Sequence, residues 1–281
     1  MSKKIDNLEV LERLGDKEFV QNIRKNTGTN FIPTEEELIP LPSKGIPYRT
    51  ITKDEDILNG KIRIRELKGH DEKVLTTQRY LKDGSALKRL VSNCLISDIS
   101  VDDLTVFDFN YILFALRGFS YGDEYKFTHK CTNSFCEKEF VIDLKISELV
   151  FNELEDDFKE PIILKLPKSK FTIECILPRQ YHIDEVRNRE ARTKKSETDY
   201  DKTLIQKMLV TTLRITNKDG MEIEEDSWEQ VYNELSVMDL AYLREKTNYK
   251  TDLEGKEVIC PYCNTTQKAV IPMGAEFFRF Q

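Results

Sequence analysis

Four of the six cysteines fall into two close pairs, Cys131 with Cys136 in CTNSFC and Cys260 with Cys263 in CPYC. Thiolates two to four residues apart at hairpin turns are the ligand pattern of a closed tetrahedral zinc site. Each pair supplies half of such a site. The spacing therefore predicts one structural zinc held by Cys131, Cys136, Cys260 and Cys263, joining segments more than a hundred residues apart. His129 stands two residues before Cys131, on the same side of a strand, and is a substitute ligand. Two alternatives stay open: four reduced thiols without a metal, and a redox pair at Cys260–Cys263. Against the redox pair, Cys260 and Cys263 lie between two strand-like runs, whereas a redox Cys-x-x-Cys opens a helix that lowers the thiol pKa. Cys94 and Cys175 sit alone in the apolar runs RLVSNCLI and FTIECIL and are expected to be buried small hydrophobes.

Other chemistry is absent from the sequence. It has no glycine-rich phosphate loop, no Gly-x-Ser-x-Gly and no His-Glu-x-x-His, and only three histidines. Asp108 and Asp239 occupy matching helical contexts and are read as capping or ion-pairing acids, so no enzymatic activity is expected. A net charge of -7 disfavours nucleic acid, whose binding rests on neutralising phosphates with Lys and Arg. No apolar run approaches the roughly 20 residues of a membrane span. The charged start, MSKKIDNLEVLERLGDKEF, lacks the apolar stretch of a signal peptide, so folding in a reducing cytoplasm is expected.

The elements that must position the cysteines recur. Thr105-Val106-Phe107-Asp108-Phe109-Asn110-Tyr111 is echoed by Ser236-Val237-Met238-Asp239-Leu240-Ala241-Tyr242. Before each copy comes a helix-period segment (86–95 and 204–213), before that a strand-like run (61–65 and 171–175), and each strand leads to an acidic pair, Asp71-Glu72 or Asp184-Glu185. After each copy a strand runs into a cysteine pair. The spacing predicts an α+β fold of two similar strand-helix-helix-strand repeats joined at a zinc-ribbon-like site of four cysteines. Ser100 and Ser227 each precede an acid or amide by three residues and are read as capping boxes that start the second helices. His70 and His182, at matching places ahead of acids, suggest a shared structural role.

The expected organisation is an N-terminal helical arm and linker over 1–40, a first repeat over 41–155 and a second over 156–281. LPSKG (41–45) and LPKSK (166–170) introduce the repeats as extended lead-ins to tight turns. Residues 186–203, VRNREARTKKSETDYDKT, read as a solvated charged insertion. The arm, with Leu8, Leu11 and Leu14 on one face, is too short to be stable alone and must dock. The C-terminal Phe277, Phe278 and Phe280 must be buried as well, in the chain's own core or in a neighbour. Both ends are taken as partner-binding.

From Leu41-Pro42-Ser43-Lys44-Gly45, through Ile64-Arg65-Glu66-Leu67, Asp71-Glu72-Lys73, Asn93-Cys94, Asp103-Leu104, Phe107-Asp108 and Tyr111, to Leu116-Arg117-Gly118-Phe119-Ser120-Tyr121-Gly122, the chain resembles the baseplate hub assembly proteins of T4-like contractile-tailed phages. The resemblance covers about residues 40–150. It implies a component or assembly factor of the baseplate or tail hub, made in the host cytoplasm and carried in the virion tail. Its partners would be other baseplate or tail hub proteins, with no enzymatic residues to carry over. The rival class is a zinc-ribbon nucleic-acid-associated accessory protein, which the acidity and the lack of basic residues interleaved with aromatics near the knuckles disfavour.

Overall fold

The computed structural model describes residues 36–149, 151–192, 203–247 and 256–278. It is an α+β protein of short helices and small antiparallel sheets. Strand β1 (Glu36–Pro40) pairs with β2 (Lys61–Arg65), whose KIRIR alternation turns Ile62 and Ile64 into the core. Between them the chain reverses at Leu41–Gly45, where Lys44 and Gly45 both have positive φ. Helix α1 (Glu55–Leu58) then starts on Asp54, whose carboxylate accepts the N–H groups of Asp56 and Ile57.

Helices α2 (Glu72–Thr76), α3 (Gln78–Lys82) and α4 (Ala86–Cys94) lead to the central helix α5 (Val106–Tyr121). Thr105 Oγ1 caps α5 by accepting the Asp108 N–H at 3.1 Å. The expected start at Ser100 instead opens a single 3-10 turn. Helix α5 buries Phe107, Phe109, Ile112, Leu113, Phe114 and Leu116, so it is apolar nearly all round, as a helix inside a core must be. It is followed by the hairpin β3 (Glu124–Lys130) and β4 (Glu139–Lys145), which puts Tyr125, Phe127, Ile142 and Leu144 against the core.

A second core surrounds the three-stranded sheet β5 (Ile162–Lys165), β6 (Thr172–Cys175) and β7 (Thr212–Thr216), in which β6 is central. Helices α6 (Gln180–Arg192), α7 (Thr203–Thr211), α8 (Trp228–Glu234) and α9 (Val237–Thr247) accompany it. This core contains Leu164, Leu166, Ile173, Cys175, Ile215, Trp228, Tyr232, Leu235 and Leu243. Helix α6 runs on to Arg192, so the first part of the charged segment is helical, and residues 193–202 lie outside the described residues. Ser227 precedes α8 without a side-chain cap bond; α9 is begun by Ser236, whose hydroxyl accepts the Asp239 N–H.

The chain then returns. The hairpin β8 (Lys256–Ile259) and β9 (Thr266–Ala269) leads to a 3-10 turn at Ala275–Phe278. Ala269, Ile271, Phe277 and Phe278 pack in the first core and not in the second. Phe277 is 0% and Phe278 2% exposed. The Phe277 ring lies edge-on to Phe114 and Tyr125 at 5.0 and 4.9 Å. The partner contact expected of these two side chains is thus replaced by an intramolecular one, because the return of β8–β9 carries them onto α5. Phe280, with Leu8, Leu11, Leu14 and the rest of the N-terminal arm, lies outside the described residues. Phe277→Ala is expected to lose about 3–5 kcal/mol, as for other large core truncations. Wild-type resistance to urea in that variant would show that the ring does not complete the first core.

The two cores meet at a backbone joint. The Val106 N–H donates to the Pro178 carbonyl at 2.8 Å, and the Gln180 N–H to the Leu104 carbonyl at 3.0 Å. Arg179, between them, is buried and donates to the Pro47 carbonyl at 3.0 Å and to Glu160 at 2.7 Å. Lys88 on α4 adds ion pairs to Asp102 and, across the joint, to Asp184.

Candidate metal centre

Two hairpin tips converge at one point. Cys131 and Cys136 bracket the β3–β4 turn, and Cys260 and Cys263 bracket the β8–β9 turn. Their four sulfurs all lie within 4.8 Å of one another. Cys131 and Cys263 sulfurs are 3.6 Å apart, and those of Cys136 and Cys260 are 3.9 Å apart. A metal bound tetrahedrally by four thiolates at about 2.3 Å needs sulfurs about 3.8 Å from each other. The separations of these two pairs bracket that value, and with all four sulfurs within 4.8 Å of one another the cysteines are placed where they could hold a metal ion.

The tips share a local build. The Cys131 N–H donates to the Lys138 carbonyl at 2.9 Å, and the Cys260 N–H to the Thr265 carbonyl at 3.0 Å. The residue after the second cysteine of each pair, Glu137 or Asn264, is left-handed, with φ of 46° and 57°. This backbone folds each turn tightly enough for both of its sulfurs to face inward. Side chains then tie one tip to the other. Gln267 Oε1 accepts from the Thr132 N–H and hydroxyl at 2.7 and 2.9 Å, and Asn133 Nδ2 donates to Thr265 Oγ1 at 3.1 Å.

The thiols differ in acidity. Thr265, through its hydroxyl and then its N–H, holds Cys263 down to about 6, while burial drives Cys131 up to about 11. Cys94 and Cys175 lie apart from the cluster, and burial pushes both up to about 12, which keeps them neutral. His129 is not among the clustered donors; its ring stands edge-on to Phe140 at 5.7 Å.

The family description "T4 bacteriophage base plate protein" matches residues 47–279, which takes in the second core, all of the first but Ile39 and Leu41, and both cysteine pairs. The chain belongs to this family. It is therefore a phage baseplate protein with a structural role. No curated protein and no solved structure gave a significant match. Among the described residues no helix is long and apolar enough to cross a membrane.

The paired acids of this baseplate protein are structural. Asp108 is fully buried and accepts the Ser43 N–H at 3.0 Å and the Tyr48 hydroxyl at 2.5 Å. Asp239, also buried, accepts the Lys168 and Ser169 N–H groups at 2.8 and 3.0 Å. Each acid thus pins a Leu-Pro turn to the start of a long helix. Burial wins at Asp108 and raises its pKa; at Asp239 burial also acts upward, but the N–H donors outweigh it and the net shift is downward. His70 and His182 do not share a role. His70 is exposed beside Asp71, whereas His182 is buried and accepts the Arg179 N–H. Sequence reasoning missed Thr132, Asn133, Thr265 and Gln267. Their only signal is that polar residues crowd next to the cysteines.

Proposed function

We propose that this protein is a non-enzymatic subunit of the hub region of a contractile-tail baseplate, with one zinc ion at Cys131, Cys136, Cys260 and Cys263 as a structural clamp. The family match over residues 47–279 carries the reading. The hub assignment draws further support from the likeness of residues 40–150 to hub assembly proteins. Zinc is favoured because four thiolates from rigid turns leave no open position, which suits a closed structural site and not a catalytic one. Its place between the hairpins gives it a mechanical role: it fastens the C-terminal return to the first core.

The two units, 41–155 and 156–281, are read as products of an internal duplication. Three parallels support this: the acids at 108 and 239 on Leu-Pro turns, the hydroxyl caps at 105 and 236, and the left-handed residues closing each cysteine turn. Leu8, Leu11 and Leu14 of the N-terminal arm, and Phe280 beyond the buried pair, are the segments proposed to contact neighbouring baseplate proteins.

Quantitative mass spectrometry of purified phage particles tests the role, with this chain counted against the tail tube subunit. A fixed, small, nonzero copy number is the expected result. Absence from particles, with the protein present in infected cells, would replace a virion subunit with a transient assembly factor.

A further inference from the structure

The joint between the two cores uses a turn that occurs twice but is covered only once. Ahead of α6, the Arg179 N–H donates to the side chain three residues on, His182 Nδ1, at 3.0 Å, and the His182 N–H returns to the Arg179 carbonyl at 3.1 Å. Ahead of α2, the Lys68 N–H donates to Asp71 Oδ2 at 2.9 Å, and the Asp71 N–H returns to the Lys68 carbonyl at 2.8 Å. Both turns follow a strand with two inward side chains, Ile173 and Cys175 or Ile62 and Ile64. Yet Arg179 and Gln180 are each only 8% exposed, whereas Lys68 and Gly69 are exposed. The Leu67 carbonyl and Gly69 N–H, counterparts of the Pro178 carbonyl and Gln180 N–H, make no backbone hydrogen bond among the described residues. A Cβ added at Gly69 would meet nothing within 4 Å.

The receiving surface is also present twice. Leu104 and Val106 take the Pro178–Gln180 segment beside the Thr105 cap. Leu235 and Val237 flank the equivalent Ser236 cap, and neither the Leu235 carbonyl nor the Val237 N–H has a backbone partner among the described residues. Beside them Val237 and Met238 are 78% and 64% exposed, while Phe107, the counterpart of Met238, is buried.

We propose that Leu67–Gly69 of one copy seats on Leu235–Val237 of a second copy, in the antiparallel bridge that Pro178–Gln180 makes on Leu104–Val106 within the chain. The inference rests on the duplicated-unit reading above. The precedent is the chain's own joint, an antiparallel bridge between Thr105 and Arg179, and the apolar Val237 and Met238 left exposed beside the second receiving segment are what a second copy would cover. Such a contact joins unlike surfaces, so it extends head to tail and closes into a ring or runs on as a filament. Between copies it depends on concentration; inside the chain the tether removes that dependence.

Sedimentation velocity of the full chain over a range of concentrations tests it. The wild type is expected to associate beyond the dimer. Val237→Asp, which suits a helix N-terminus and so leaves the fold intact, is expected to remain monomeric, as is Gly69→Pro, which lacks the donor N–H. Each variant keeps one sound end, so their equimolar mixture is expected to stop at the heterodimer. A wild type that stays monomeric at its highest soluble concentration would overturn the joint, as would a Val237→Asp protein that associates like the wild type. If Gly69→Pro fails to fold, the Val237→Asp comparison decides alone. A monomeric chain that is nonetheless found at fixed copy number in particles would overturn the joint and leave the baseplate role standing.

Discussion

Cys260→Ser is expected to empty the proposed zinc site and unseat the C-terminal return, with a larger loss of stability than any single core truncation. Structural zinc supplies about 10–16 kcal/mol in isolated zinc-binding peptides. Even part of that exceeds the roughly 3–5 kcal/mol of a Phe→Ala change in a core. Cys260 is fully buried at the cluster, and β8–β9 leads directly into Ile271, Phe277 and Phe278 of the first core. Two readouts should therefore move together in the variant: metal content should fall from one zinc per chain to near none, and amide exchange should accelerate over residues 256–278. Cys94→Ala, in the same core but outside the cluster, should retain its zinc. If Cys260→Ser kept both its metal and its exchange protection, the clamp would be wrong. Chelation of the wild type should reproduce the variant's exchange pattern without any change of sequence.

The second large effect is expected at Gly45. Its φ is +71°, and a Cβ there would stand 1.9 Å from the Ile57 carbonyl oxygen, a backbone atom that no rotamer change can move. Left-handed backbone alone costs an ordinary residue about 1–2 kcal/mol. The clash must then displace either α1 or the Leu41–Gly45 turn, and that turn presents the Ser43 N–H to Asp108. Gly45→Ala is expected to cost about 4 kcal/mol or more, in the range that marks a specific structural fault. Gly220→Ala is the control, since Gly220 has φ +83° with nothing within 4 Å, and should lose only the conformational part. Urea midpoints for the two variants measure the difference. Equal losses would mean that the close approach of Gly45 to Ile57 does not constrain the fold.

The meeting of the four cysteines was legible in the sequence because donor spacing within each turn is local, and two pairs of donors are what one tetrahedral site requires. The α+β class was legible because helical and strand periodicities are local patterns. The roles of Asp108 and Asp239 were not: read as capping or ion-pairing acids, they instead accept N–H groups from turns some 65 to 71 residues away, a contact that no local pattern records. The destination of Phe277 and Phe278 was not. Aromatic content demands burial, but apolar attraction has no direction, so nothing in the tail says which core receives it. The joint at Pro178–Gln180 was equally hidden, since it is made by backbone groups that every residue carries. The pairing of His70 with His182 failed because it matched residue types. Hydrogen bonding instead pairs His182 with Asp71, two different side chains that accept the same N–H.

The return of the chain to its first core also sets an order of events during synthesis. Residues 39–146 supply most of that core, yet Ala269, Ile271, Phe277 and Phe278 reach it only after the whole second unit has left the ribosome. Until then the faces of Phe114 and Tyr125 that receive Phe277 stay open. A chain cut short before Cys260, by premature termination or by a nuclease acting on its message, would keep those faces bare and only two of the four clustered thiols. Such a fragment would be drawn to chaperones and proteases and not to its neighbours in the tail, so the fold proofreads its own completeness before assembly.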